Sequence, residues 1–289
     1  MQALLITAYK NEKQLMDLLS SAYKNFAVYV HIDKKSTISL RNIQAVFSGI
    51  KIIKRYKVNW GGLNHLKAIL ELLKMAVRDE NEYFHIISGQ DILVKKPADF
   101  DYFRNSGKIY MNFYSRDEVS DDVSRRLRYW IVSANSSMRN PYQGKVNRIV
   151  NHIQDAFHIY RNSIGDFKEV YKGVVWCSFP LDAAKYVMDY YERNKMLKEF
   201  KHIHIPEEFF FQTVWGNSVY KDRIVPNNMR YTDWHLRNGS NPAVLDETDY
   251  QKITASGSFF ARKIDPEISK KLMEMIAVDR LPSGKNMLS

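Results

Sequence analysis

The chain has 289 residues, enough for one continuous core with a sizeable crevice and short for two large domains. With 45% hydrophobic and 26% charged residues and only 12 Gly and 8 Pro, it is neither dominantly disordered nor collagen-like. A net charge of +11, from 43 Lys and Arg against 32 acids, favours anionic partners: nucleic acid, an anionic lipid surface or phosphorylated small molecules.

The opening run "ALLITAY" predicts a strand, and "NEKQLMDLLSSAYK" after it predicts a helix. "FAVYVHI" is a second strand ending at Asp33, "IKII" a third, and "GGLNHLKAILELLKMAVRD" a long amphipathic helix before the buried strand "EYFHIIS". Strands alternating with helices predict a mostly parallel central sheet flanked by helices, with ligands gathered at the carboxyl ends of the strands. Past residue 115 the rhythm weakens. "RDEVSDDVSRRLRYWIV" and "YQGKVNRIVNHIQDAFHIYRN" read as helices with basic faces, and "YKGVVWCSF" as a strand. "LDAAKYVMDYYERNKMLKEF", "EEFFFQTVWGN" and "ISKKLMEMIAV" read as helices, with Pro206 near the first turn of the second. No internal repeat or linker interrupts the chain, which predicts one α/β domain over residues 1–289.

Cys177 is the only cysteine, so no internal disulfide is expected. No stretch approaches eighteen apolar residues, and the start lacks a basic leader or cleavage site. The expectation is a cytoplasmic protein without a membrane span.

Four corners carry candidate chemistry. "VHIDKKS" sets His31 and Asp33 at a strand end where α/β proteins place nucleotides, although a solvated strand end would look the same. "VNWGGLNH" puts Trp60 and Gly61 before a helix whose free N–H groups could meet a phosphate or sugar hydroxyl; the alternative is a turn with a core tryptophan. "IISGQDILVKKP" ends a strand with small residues and then Asp91, which could point into the cleft or simply close a corner. In "IPEEFFFQT", Glu207 suits the dipole of a helix's first turn, while Glu208, among three phenylalanines, would lose hydration and become a stronger base. "YTDWHLRNGSNP" and "GSFFARKID" add Arg237, Arg262 and Lys263, cations that could steady a departing anion or form a basic solvent face.

No metal is expected. Asp99 and Asp101 in "DFD" have the spacing for a hard cation, yet they read as the acidic start of a short helix. His202 and His204 alternate as on a strand, and no Cys or third His stands near to complete a zinc set.

Taken in order, "AYKNEKQLMDLL", "VYVHIDKKS", "VNWGGLNHLKAILELLKMA", "YFHIISGQDILVKKP", "YKGVVWCSFPLDAAKYV", "IPEEFFFQTVWGNS", "MRYTDW" and "SFFARKID" resemble the core-2/I-branching N-acetylglucosaminyltransferase and xylosyltransferase family, especially its short bacterial members. The resemblance implies an α/β, GT-A-like nucleotide-sugar-binding fold, with residues 1–115 as the donor half and 116–289 as the acceptor and catalytic half. It implies inverting transfer from a UDP-sugar, N-acetylglucosamine or xylose, without a metal or other cofactor, to a hydroxyl of a cell-surface or lipid-linked glycan precursor. Glu208 matches the family's catalytic base; Lys263 and Arg237 match its diphosphate ligands. His31, Asp33, Trp60, Gly61 and Asp91 fall on the donor pocket.

For the acceptor, Arg126, Arg128, Trp176 and Trp234 are the candidates. The segment 115–165, with Arg125, Arg126, Arg128, Tyr129 and Trp130, is expected to shape the acceptor site or a surface in peripheral contact with an anionic membrane. Two other classes fit the bulk numbers. A nucleic-acid-binding protein is disfavoured because no concentrated basic helix or aromatic-basic strand is present. A catalytically inactive glycan-binding module is disfavoured by the intact Glu208 and Lys263.

Overall fold

The structure, a computed structural model, describes residues 1–132, 135–161, 163–194 and 197–280. The first half runs β1 (Gln2–Ala8), α1 (Glu12–Ala22), β2 (Ala27–Ile32), α2 (Leu40–Val46), β3 (Lys51–Ile53), α3 (Leu63–Arg78), β4 (Tyr83–Ser88), β5 (Asp91–Leu93), α4 (Asp101–Ser106) and β6 (Ile109–Tyr110). The second half runs α5 (Asp121–Arg128), α6 (Pro141–Ala156), β7 (Ser178–Pro180), α7 (Leu181–Asn194), α8 (Leu197–Phe200), α9 (Phe210–Gly216), β8 (Ile224–Val225), β9 (Arg230–Thr232), α10 (Tyr250–Ala255), β10 (Phe260–Arg262) and α11 (Lys270–Asp279).

Seven strands form the main sheet in the order β3-β2-β1-β4-β7-β6-β8. All are parallel except β7, which runs against both β4 and β6, so the sheet is mostly parallel as expected. Its strands come from both halves of the chain. Alternation along β1 sorts side chains to two faces. Ala3 and Leu5 meet the apolar stripe of α3, with Leu66, Ile69, Leu70 and Leu73 at helical spacing, and the inner faces of α7 and α9. Leu4, Ile6 and Ala8 meet α1, α2 and the Phe100–Phe103 turn on the other side. Each buried Leu or Ile contributes about 1.5–3 kcal/mol as an upper bound, which fixes both layers to the sheet.

A second, three-stranded sheet, β5-β10-β9, is not evident from the sequence. β10 lies antiparallel to β5 and parallel to β9, and a small apolar cluster with α10 and α11 backs it. Asp91 and Arg262 are register partners across it.

Two expected elements differ. His202 and His204 lie in irregular chain: His202 Nδ1 meets the Ile131 carbonyl at 3.0 Å and His204 Nε2 meets Asn147 at 3.1 Å. Of "YKGVVWCSF", only Ser178 and Phe179 belong to β7, and Lys172 makes an isolated bridge with Tyr114. Upstream, side chains from α9 satisfy the backbone instead: Thr213 Oγ1 bonds both N–H and C=O of Tyr171, and Gln212 donates to the Val174 carbonyl at 3.0 Å. Asp99 and Asp101 behave as expected, Asp99 accepting from the Lys96 N–H at 3.0 Å and Asp101 pairing with Arg104 at 2.9 Å.

Candidate active site

The carboxyl ends of β1, β2 and β4 meet at one crevice, where Thr7 of β1 is flanked in register by His31 and Ser88. His31 is buried. Its Nε2 accepts the Tyr56 N–H at 3.1 Å, and burial pushes the imidazole down to about 4, so it is neutral at pH 7 with its proton on Nδ1. Asp33, one step past β2, takes the N–H of Lys35 at 2.9 Å and of Val58 at 3.3 Å on Oδ1. Its carboxylate therefore ties the β2 loop to the chain entering Trp60.

Trp60 and Gly61 form the turn into α3. Gly61 has φ +79°, a conformation that calls for glycine, and Met138 packs closely over it. Trp60 is half exposed, with the Arg139 guanidinium 5.2 Å above its ring; it is a wall of the crevice and not a core tryptophan.

Packed against the Trp60–Gly61 turn stand Glu207 and Glu208, in a single 3₁₀ turn, Pro206–Glu208, ahead of α9. Ile205 before it has φ +55°, a conformation β-branched residues avoid at a cost of order 1–3 kcal/mol, and its N–H is anchored on the Gly61 carbonyl at 2.9 Å. The turn sends the two carboxylates apart. Glu207 is buried, so the first-turn dipole does not account for it: Oε1 meets His65 Nδ1 at 2.9 Å, and Oε2 has no hydrogen-bond partner among the described residues. His65 Nε2 in turn meets Thr7 Oγ1 at 3.3 Å, so with Glu207 ionised Nδ1 donates to it and the Thr7 hydroxyl donates to Nε2.

Glu208 faces the opening with its side chain 24% exposed. Lys172 Nζ lies 3.4 Å and Arg126 Nη1 3.9 Å from Oε2. Burial raises its carboxyl above the ordinary Glu range, the Glu207 charge adds to the rise, and Lys172 and Arg126 oppose it. The result is a carboxylate with increased proton affinity at the rim of an aromatic core. Its backbone is held too, since Gly173 donates its N–H to the Glu208 carbonyl at 2.9 Å.

Cations gather opposite. Lys263 is half-buried, and burial lowers its amine below the ordinary Lys range, helped by Arg262, Lys10 and Arg139. Its Nζ bonds only a neutral group among the described residues, Ser240 Oγ at 3.0 Å. Two chains of contact join this cluster to the acids. Arg139 lies over Trp60, whose turn holds Ile205; Arg262 lies 4.4 Å over the Trp176 ring, which meets the edge of His65 at 6.1 Å. Trp176 itself is buried in the main apolar cluster, between Arg262 and His65.

Three expected residues have other immediate partners. Asp91 is buried, with Ser88 N–H and Oγ and Arg262 Nε all bonded to it at 2.7–2.9 Å, so it closes a corner and aims Arg262. Arg237 is enclosed by Asp246 and Asp249, each at 2.5 Å, and Asp233 at 3.3 Å, which neutralise it before any anion arrives. Arg128 stands two residues from Arg126, about 200° around α5, and its guanidinium caps Tyr160 at 3.9 Å in an outer cleft. Trp234 is exposed. Lys172, His65, Arg139 and Lys10 join the site without any sequence signal beyond their residue type. Among the described residues no group of three His, Cys, Asp or Glu is placed to hold a metal ion, and no helix is long and apolar enough to cross a membrane.

The strand ends thus carry a desolvated carboxylate, Glu208, and a group of cations around Lys263, on a mixed α/β framework with a mostly parallel sheet. The chain belongs to the Core-2/I-Branching enzyme family, whose model matches residues 3–257. It is 21% identical over 311 residues to Xylosyltransferase sqv-6 of Caenorhabditis elegans, an alignment covering 97% of this chain and 36% of that protein. To Xylosyltransferase oxt of Drosophila melanogaster it is 23% identical over 296 residues, covering 90% and 31%. The chain thus spans about a third of the length of the curated relatives it matches. The crystal structure of S. aureus TarS 1-349 in complex with UDP aligns with a TM-score of 0.42 at 14% identity, covering 99% of this chain and 67% of that one.

Proposed function

We propose that the protein is an inverting, metal-independent glycosyltransferase of GT-A-like fold that moves a sugar, N-acetylglucosamine or xylose, from a UDP-sugar to a hydroxyl of a glycan precursor. Family membership and the xylosyltransferase relatives support the reaction class. The observation that supports the mechanism is Glu208, held beside Lys172 and Arg126, with its carboxyl raised by burial.

The donor lies along the strand ends between Asp33, Trp60 and Gly61, its diphosphate toward Lys263, Arg262 and Arg139. Glu208 takes the proton from the acceptor hydroxyl as that oxygen forms its bond to the anomeric carbon. On the far side the bond from that carbon to the diphosphate oxygen breaks, and the electron pair leaves with the nucleotide, where the cations stabilise it. One displacement inverts the anomeric centre. The Lys263 amine, held by a single hydroxyl, is the cation free to serve; Arg237 acts at one remove by fixing Asp233, Asp246 and Asp249.

Glu208→Gln, compared with wild type in chelator, tests this. Turnover should fall at least about a thousandfold, at the middle of the general-base range. The heat-stabilisation given by the UDP-sugar should persist. Near-normal turnover in the variant would remove Glu208 from the role, and a strict need for added divalent metal would overturn metal independence.

A further inference from the structure

Helix α6 is built inside out. The residues it turns toward the protein are polar: Gln154, its only buried residue, clasps the N–H and C=O of Trp130 at 2.8 and 3.0 Å, and Asn147 reaches His204 at 3.1 Å. Its apolar residues face solvent. Tyr142, Val146, Ile149, Ile153 and the capping Phe157 recur at helical spacing and fall within about 80° of one another around the axis. Tyr142 is 78%, Ile149 60% and Phe157 73% exposed. A contiguous apolar stripe of this kind marks a surface that meets something else.

The flank of the stripe identifies the partner. Lys145 and Arg148 follow it along one side and are exposed, while Arg125 and Arg128 stand across a cleft of about 490 Å³ on the far side of the helix. The one acid of the helix, Asp155, already accepts from the Tyr129 and Tyr160 hydroxyls at 2.7 and 3.1 Å. We infer that α6 is a membrane-docking helix that lies in the interface of an anionic bilayer, stripe inward, with Lys145 and Arg148 reaching the headgroups. Nucleic acid has no use for the aliphatic stripe. The surface lies on α6 and not on the Arg125–Trp130 run as a whole: Trp130 is turned inward between Arg161 and the His202 ring. This inference stands independently of the proposed transfer.

The test is co-sedimentation of the whole chain with neutral phosphatidylcholine vesicles and with vesicles containing a third phosphatidylglycerol. Wild type should bind the anionic vesicles at least about tenfold more tightly, and raised salt should remove that difference. Ile149→Ser with Ile153→Ser and Phe157→Ser should weaken binding about a hundredfold or more, since each lost apolar contact counts for several-fold. Lys145→Gln with Arg148→Gln should lower only the anionic preference. All substituted side chains are exposed, and an unchanged melting temperature and circular dichroism spectrum confirm the fold. No binding by wild type, equal binding to both vesicle types, or full binding by the triple variant each overturns the inference. A dimer by light scattering that the triple substitution dissolves, without vesicle binding, assigns the face to a second copy instead.

Discussion

Replacing Lys172 by Met should raise the proton affinity of Glu208, and replacing Glu207 by Gln should lower it. Lys172 Nζ is 3.4 Å from Glu208 Oε2. At that distance two unit charges are worth about 1.2 kcal/mol at the permittivity of water and about 5 kcal/mol at an effective constant near 20, or about 1 to 3.5 pH units. With 24% of the side chain exposed, screening by water puts the interaction toward the lower end of that range, and its loss moves the titration upward. The Glu207 charge acts in the opposite sense, so Glu207→Gln should bring the titration down, and Gln can still accept from His65. Carboxyl carbon-13 resonances of the Glu-labelled chain, with the Glu208 signal assigned by its loss in Glu208→Gln, report the titration without any substrate. In kinetics, the acidic limb of kcat/KM should move with it, because only the ionised base accepts the proton. A titration unmoved by Lys172→Met, or moved upward by Glu207→Gln, would refute the account of how this carboxylate is tuned.

Lys263→Met should weaken UDP-sugar binding about tenfold or more in calorimetry while leaving the melting temperature nearly unchanged, since the amine bonds only Ser240 among the described residues. Arg237→Met should do the reverse, costing about 2 kcal/mol in denaturant unfolding by leaving Asp246 and the buried Asp249 unpaired; a pure affinity loss there would restore Arg237 as a direct ligand. Gly173→Ala should lower the melting temperature and impair transfer together. Its Cβ would stand 1.9 Å from the Asn112 carbonyl oxygen, and the residue must move while holding the Glu208 carbonyl; an unperturbed melt would show that the backbone there yields freely.

The parallel half of the sheet was legible because Leu66, Ile69, Leu70 and Leu73 recur at helical spacing and the apolar runs of β1, β2 and β4 are buried on both faces. Strand-end logic likewise located His31, Asp33, Trp60 and Gly61 at the crevice, and the phenylalanines around Glu208 announced its desolvation. What periodicity does not carry is pairing. Nothing local distinguishes Asp91, consumed by Arg262 across 171 positions, from an acid free to meet a sugar. The same holds for Arg237 and its three acids, which only the fold of the loop brings together. Lys172 is one lysine among many until the irregular chain before β7 is laid beside α9. For α6, the spacing of the apolar residues showed a helix with two faces but not which of them the core would take.

The single reversed strand has a consequence for how the protein could diversify. β6 runs with β4 and so ends at the crevice edge of the sheet; β7 runs against both and so begins there. Everything between Tyr110 and Ser178, including α5, α6 and Lys172, is therefore one excursion that leaves and re-enters the framework at the same edge. Such an excursion can be lengthened, shortened or exchanged between paralogues without altering a strand register or the order of the sheet. Recombination at its two stems would exchange α5, α6 and Lys172 in one event while β1, β2 and β4 stay constant.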